Sequence, residues 1–186
     1  MALENTAWLC ALFCISQVLS APIKCQLDGH LIKTSYNLLK DMGGNFPQQC
    51  IKENVLVPFP RSAFASNGTA GQSDIIRTVI YETLYSINSL FENDDFPTDW
   101  DEIKLQDFQN IIYRQVDKST CAGGSKPGSD DSARTATLRN YFERLASVLQ
   151  EKNFFCAWEI VRKELVRTLD FIIEHNSDSL LWPKRI

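Results

Sequence analysis

The residues able to do chemistry are few and badly placed for it. The chain holds two histidines, His30 and His175, and six cysteines. A Ser–His–acid triad could draw only on those two histidines, and both fall near helix ends, where an imidazole usually acts as a solvated cap. Gly123-Gly124-Ser125-Lys126 has the residue types of a phosphate loop but neither its spacing nor a preceding strand; it reads as a connector. The carboxylate pairs Asp94-Asp95 and Asp130-Asp131 stand in front of helical stretches, where capping explains them without acid–base work. Metal binding by the cysteines would require close pairs such as C-x-x-C, and Cys25, Cys50, Cys121 and Cys156 are far apart. The expectation is no catalysis, no cofactor and no metal.

The elements that would carry any site read as helices. Behind a leader at residues 1–20, apolar from Trp8 to Leu19 and ending in small residues around Ser20 and Ala21, the sequence predicts a single domain over 21–186. Cleavage there removes Cys10 and Cys14 and leaves four cysteines in an exported chain, which implies two disulfides. A chain of 186 residues with 44% hydrophobic and 23% charged residues can build one core, and wholesale disorder is unexpected. A net charge of −4 gives no electrostatic footprint for nucleic acid. The apolar leader is too short to span a bilayer, no later stretch qualifies, and membrane insertion is not expected.

Apolar residues recur at three–four spacing in five segments. The first runs from Leu27 to Met42, with Leu31, Ser35, Leu38, Leu39 and Met42 inward, and stops at Gly43-Gly44. The second runs from Ser73 to Phe91, capped by Ser73 and Asp74, with Ile76, Val79, Ile80, Thr83, Leu84, Ile87 and Leu90 inward. Its β-branched run could be taken for a strand, but spacing and length favour helix. The third runs from Asp99 to Lys118 on Leu105, Phe108, Ile112 and Val116. The fourth runs from Arg134 to Lys152 on Leu138, Tyr141, Phe142, Leu145, Val148 and Leu149, behind the capping residues Asp130, Asp131 and Ser132. The fifth runs from Ala157 to His175 on Trp158, Val161, Leu165, Leu169, Ile172 and Ile173.

Connection lengths then set the topology. Lys152 to Cys156 is short and forces the last two helices antiparallel. Gly43 to Gln72, with Pro47, Pro58 and Pro60, is long enough for a parallel crossover, as is the Cys121–Gly128 connector. The expected architecture is all-α, a five-helix up-up-down-down bundle with long overhand loops. If the first helix runs up, Cys25 lies at the bottom and Cys50 near the top. A descending third helix puts Cys121 at the bottom, and Cys156, between an ascending fourth and a descending fifth, lies at the top. This predicts Cys25–Cys121 and Cys50–Cys156. The sequon Asn67-Gly68-Thr69 lies in the long loop and is a candidate glycosylation site.

One stretch goes beyond patterning. Tyr141-Phe142-Glu143-Arg144-Leu145, followed by Cys156-Ala157-Trp158-Glu159-Ile160-Val161-Arg162-Lys163-Glu164-Leu165, resembles the type I interferon signature. Trp100-Asp101-Glu102 with Leu105, Phe108 and Tyr113-Arg114-Gln115 resembles that family's third helix, and Cys50-Ile51-Lys52 with Phe59-Pro60 its first long loop. Four cysteines suggest the four-cysteine group of fish interferons. Val148 departs from the family's aromatic or leucine, and the turn before Cys156 is a residue shorter.

The resemblance implies a secreted, monomeric helical cytokine bound by two different class II cytokine receptor chains, whose kinases then induce antiviral genes through JAK–STAT signalling. Carried over by position, the high-affinity chain would meet Ile51, Lys52, Asn54, Arg162, Lys163, Val166 and Arg167, the last four forming one exposed strip. Asn54 stands where mammalian members have an arginine important for receptor binding. Lys104, Gln109 and Tyr113 are weaker matches to contacts with the second chain. Charge reversal at Arg162 and Arg167 is expected to abolish signalling and leave helicity intact. The rival readings are a type III interferon or interleukin-10 relative and, from another class, a lipid carrier built of amphipathic helices.

Overall fold

The computed structural model describes residues 26–66, 72–92, 95–118 and 129–182. The leader, Cys25, Asn67 and Cys121 lie outside the described residues, and with them the predicted Cys25–Cys121 bond and the sequon. Five α-helices are described: α1 (Gly29–Gly43), α2 (Gln72–Leu90), α3 (Glu102–Lys118), α4 (Ser129–Glu151) and α5 (Phe154–His175). Single turns of 3-10 helix at Gln48–Cys50, Arg61–Phe64 and Ser177–Ser179 punctuate the connections.

Local chemistry explains most of the helix ends. Asp28 caps α1, its carboxylate accepting from the backbone N–H of His30 (2.8 Å) and Leu31 (3.2 Å). Gly44, at φ +64°, turns the chain out of α1 in a conformation that favours glycine. Asp101 caps α3 through the Lys104 N–H (3.1 Å), so α3 starts at Glu102 and not at Asp99. Asn153 caps α5, which therefore starts before Ala157 and shortens the link from α4 to Lys152 and Asn153. Two capping assignments are corrected. Ser73 and Asp74 lie inside the first turn of α2, and Asp130, Asp131 and Ser132 inside that of α4, because both helices begin earlier than the apolar stripe shows.

Hydrogen bonds between ends fix the directions. The Asp101 N–H donates to Met42 O (2.9 Å), so α3 starts where α1 ends and runs against it. Cys156, near the start of α5, is bonded to Cys50, just past α1, whereas Leu181, after α5, pairs with Leu27 and Gly29. Thus α5 also runs against α1. Arg77, early in α2, donates to Ser179 O beyond α5 (3.0 Å), which makes α2 parallel to α1. With α4 set aside, α1, α2, α3 and α5 run up, up, down and down, as the loop lengths predict.

The core is continuous through Ile32, Leu39, Ile80, Leu84, Ile87, Phe108, Ile112, Leu145, Leu165 and Leu169. Each such side chain contributes about 1.5–3 kcal/mol by leaving water. Ile32 points inward on α1, whereas the expected Leu31 and Leu38 are half-buried. Likewise Leu90, Val116, Leu149 and Ile173 are half-buried, and Gln115 takes an inward place on α3. The largest difference concerns α5. Its sequence reads as one apolar stripe, yet Cys156 through Arg162 are all buried, Glu159 and Arg162 included. Helix α5 packs against both α1 and α4, and the first loop is joined to it by the disulfide.

Candidate functional site

The stretch Cys156-Ala157-Trp158-Glu159 assembles one end of the bundle, each residue in its own way. Cys156 ties α5 to the first loop through Cys50. Ala157 is fully buried, where close packing makes a larger side chain costly. Trp158 packs among Phe96 (4.9 Å between ring centroids), Phe91 (5.3 Å) and Trp100 (5.9 Å). Glu159 is 1% exposed; its carboxylate accepts from Trp100 Nε1 (2.6 Å) and from Arg162 (2.7 Å).

Arg162 is therefore not part of an exposed strip. It is 4% exposed and clamps the end of α1, donating to the carbonyls of Leu39 (3.3 Å), Lys40 (3.1 Å) and Gly44 (2.9 Å). Those carbonyls lie at the negative end of the α1 dipole, so a guanidinium suits them. The correction has a plain cause: the end of α1 lies over a position that the helical repeat of α5 puts at the rim. Reversing this charge would oppose Glu159 and three carbonyls and would unfold the end of the bundle, so it cannot report on binding.

The other predicted residues of this group do come together. Three ties hold residues 50–54 of the first loop to α5 and its cap: the Cys50–Cys156 disulfide, a bond from the Asn153 N–H to Glu53 Oε2 (3.2 Å), and one from Lys163 Nζ to Asn54 Oδ1 (2.6 Å). Lys163 Nζ also lies 3.2 Å from Glu164 Oε1 and 5.5 Å from the Phe46 ring centroid. Arg167 reaches Glu164 Oε2 at 3.6 Å and covers Phe59 at 5.4 Å. On the same loop and helix Ile51 (62% exposed), Leu56 (85%) and half-buried Val166 supply apolar surface. Lys52 and Asn54 are exposed. The result is a surface of loop and helix that mixes exposed apolar groups with cations, on a backbone fixed by a disulfide. Sequence reading missed Leu56, Phe46, Phe59 and buried Glu164. Only the apolar character of Leu56 in a loop could have signalled it; the others matter through contacts distant in sequence.

The second predicted group does not converge. Lys104 pairs with Asp101 (2.8 Å) at the first turn of α3, next to the end of α1. That bond and the two N–H groups of the cap hold the Asp101 carboxyl below its ordinary range, and the same partner raises Lys104. Gln109 donates to Phe91 O (3.1 Å) and closes the connection after α2. Tyr113 alone is well exposed. A groove between α2 and α4, lined by Tyr85, Leu90, Leu138 and Phe142, lies outside all three positions.

His30 meets Trp182 edge-on at 5.3 Å and His175 stacks on Phe171 at 4.3 Å. No group of three or more His, Cys, Asp or Glu among the described residues could hold a metal ion, and no described helix is long and apolar enough to cross a membrane.

A bundle of this connectivity, with long overhand loops and its last helix tied to the first loop, is a helical cytokine. A family model, that of the interferon alpha/beta domain, matches residues 26–177. Interferon a3 of Oncorhynchus mykiss is 35% identical over 76% of this chain and 76% of its own, and human interferon alpha-17 is 28% identical over 72% and 73%. Among solved structures, zebrafish interferon 2 superposes with a TM-score of 0.73 at 38% identity, covering 81% of this chain and 99% of that one. Zebrafish interferon 1, at 23% identity and a TM-score of 0.58, shares the fold. The chain belongs to the interferon alpha/beta family and is a type I interferon cytokine.

Proposed function

We propose that this interferon is exported and acts as a monomer that bridges two different chains of a class II cytokine receptor, so that kinases on their cytoplasmic ends react and antiviral genes are induced through JAK–STAT signalling. The observation that supports this reading is the patch joining the first loop to α5. Ile51, Lys52, Asn54, Lys163, Val166 and Arg167 form its contact surface, and Arg162 supports it from beneath. Preordering matters here, since a partner loses less affinity to the freezing of a loop already pinned at three places. Exposed aliphatic groups around arginine and lysine fit an interface in which a few central side chains dominate. Tyr113 is assigned to the second receptor chain, with Lys104 and Gln109 shaping the backbone near it.

Ile51→Asp combined with Lys52→Glu tests the reading. Both side chains are exposed, so helical circular dichroism and the thermal midpoint should stay unchanged. Induction of an interferon-responsive reporter in cells of the source species should fall at least a hundredfold in potency, the scale of losing one hot spot of about 2–4 kcal/mol. Unchanged potency would overturn the assignment of this face.

A further inference from the structure

We propose that Lys163, held in place by Asn54 and Glu164, selects the partner on this face by donating a charged hydrogen bond to a carboxylate that the partner sets among apolar groups. The proposal rests on the reading of the patch as receptor-binding. An ammonium has three donors. One of Lys163's goes to Asn54 Oδ1 (2.6 Å) and one faces Glu164 Oε1 (3.2 Å), which leaves a third on a side chain that is 33% exposed. The long side chain is thus already ordered, as a lysine free in water is not.

Charge balance favours an anion. Glu164 is buried at 2% side-chain exposure and is shared between Lys163 and Arg167, two cations on one carboxylate. Lys52 adds a third positive group in the adjoining loop, against a second carboxylate at Glu53, so cations exceed carboxylates by one. The type of residue at position 54 matters most. An asparagine accepts the lysine's hydrogen bond without cancelling its charge, so the ammonium is held and remains positive toward a partner. An aspartate would hold it equally well and neutralise it. Val166, one turn beyond Lys163 on α5, and exposed Ile51 and Leu56 of the loop that Asn54 belongs to supply apolar surface that would help exclude water from a docked pair and strengthen it.

A purely structural tie between loop and helix is the competing explanation, and Asn54→Asp separates the two. If the contact only pins the loop, Asn54→Asp leaves potency unchanged or improves it. On the proposal it lowers reporter potency about tenfold, as do Lys163→Ala and Lys163→Gln, with helical circular dichroism unchanged. Lys163→Arg keeps most of the potency. Asn54→Ala weakens the parent protein but has little further effect on Lys163→Ala, because it acts through the lysine. The Ile51→Asp/Lys52→Glu protein is assayed alongside. If it loses potency while Asn54→Asp and Lys163→Gln keep theirs, the role of Lys163 is overturned and the face stands. If all three keep full potency, the reading of the face is overturned and this proposal with it.

Discussion

At the scale of single residues, Arg162 shows how tertiary packing overrides a helical wheel. Its position one residue after Val161 placed it beside the core stripe, and arginine is seldom buried without a partner. Apart from Glu159, three residues earlier, its partners lie at the end of α1 and at Gly44 beyond it, far away in sequence, where no local pattern announces them. Removing it leaves the buried Glu159 carboxylate with the Trp100 N–H but no cation. Arg162→Ala should therefore lower stability by about 3–5 kcal/mol in denaturant titration, the cost of breaking a buried pair. Glu159→Gln with Arg162→Met should cost less, since no uncompensated charge remains. Full stability in Arg162→Ala with a loss of potency would mean that Arg162 is a contact residue after all. Gly43 belongs to the same cluster. A Cβ there would lie 2.6 Å from Arg162 Nε and 2.9 Å from Trp100 Nε1, so Gly43→Ala must push the clamp aside and should lower the thermal midpoint. Asn54 and Lys163 were both legible as candidates, but their hydrogen bond was not, because it joins a loop to a helix across a distance in sequence that residue types do not encode.

At the scale of elements, periodicity located all five helices and most of their inward faces. It misplaced the starts of α3, α4 and α5: α4 opens on the polar turn Ser129–Ser132, which no apolar stripe marks, α3 begins only after its Asp101 cap, and α5 takes in Phe154 and Phe155 behind its Asn153 cap. The cap of α3 gives a pH prediction. Because Asp101 is held below its ordinary carboxyl range, its contribution is present above the unfolded value and is lost as pH falls through the folded one. The start of α3 should loosen below pH about 4, seen as faster exchange of the Lys104 and Leu105 amides, and Asp101→Ala should remove that dependence. An equal pH response in both proteins would dismiss the cap as its source. The disulfide acts at the same scale. Cys50 and Cys156 are 106 residues apart, and replacing both by serine should cost up to ~4–5 kcal/mol in the chain-entropy model. It should also reduce potency, because the loop loses its firmest tie to α5. Serine variants that retain both stability and potency would show that the remaining hydrogen bonds suffice.

At the scale of the whole molecule, connection lengths carried the topology. A short link between α4 and α5 and a long one after α1 leave few arrangements, and the up-up-down-down course of α1, α2, α3 and α5 follows. The same reasoning put Cys50 and Cys156 at one end, where the structure bonds them. The matching expectation, Cys25 joined to Cys121, should appear in a peptide map of the unreduced protein. The two sides of the bundle differed in legibility. The loop–α5 patch could be read because a disulfide and a distinctive sequence mark it, whereas Lys104, Gln109 and Tyr113 share a helix without sharing a surface.

The central claim is that the molecule works by bringing two different receptor chains together, and deleting those chains one at a time in responsive cells tests it most directly. With purified protein and an interferon-responsive reporter, induction should vanish when either of two distinct class II receptor chains is deleted and should return when that chain is restored. Induction that survives every single deletion, or that depends on one chain alone, would contradict the account.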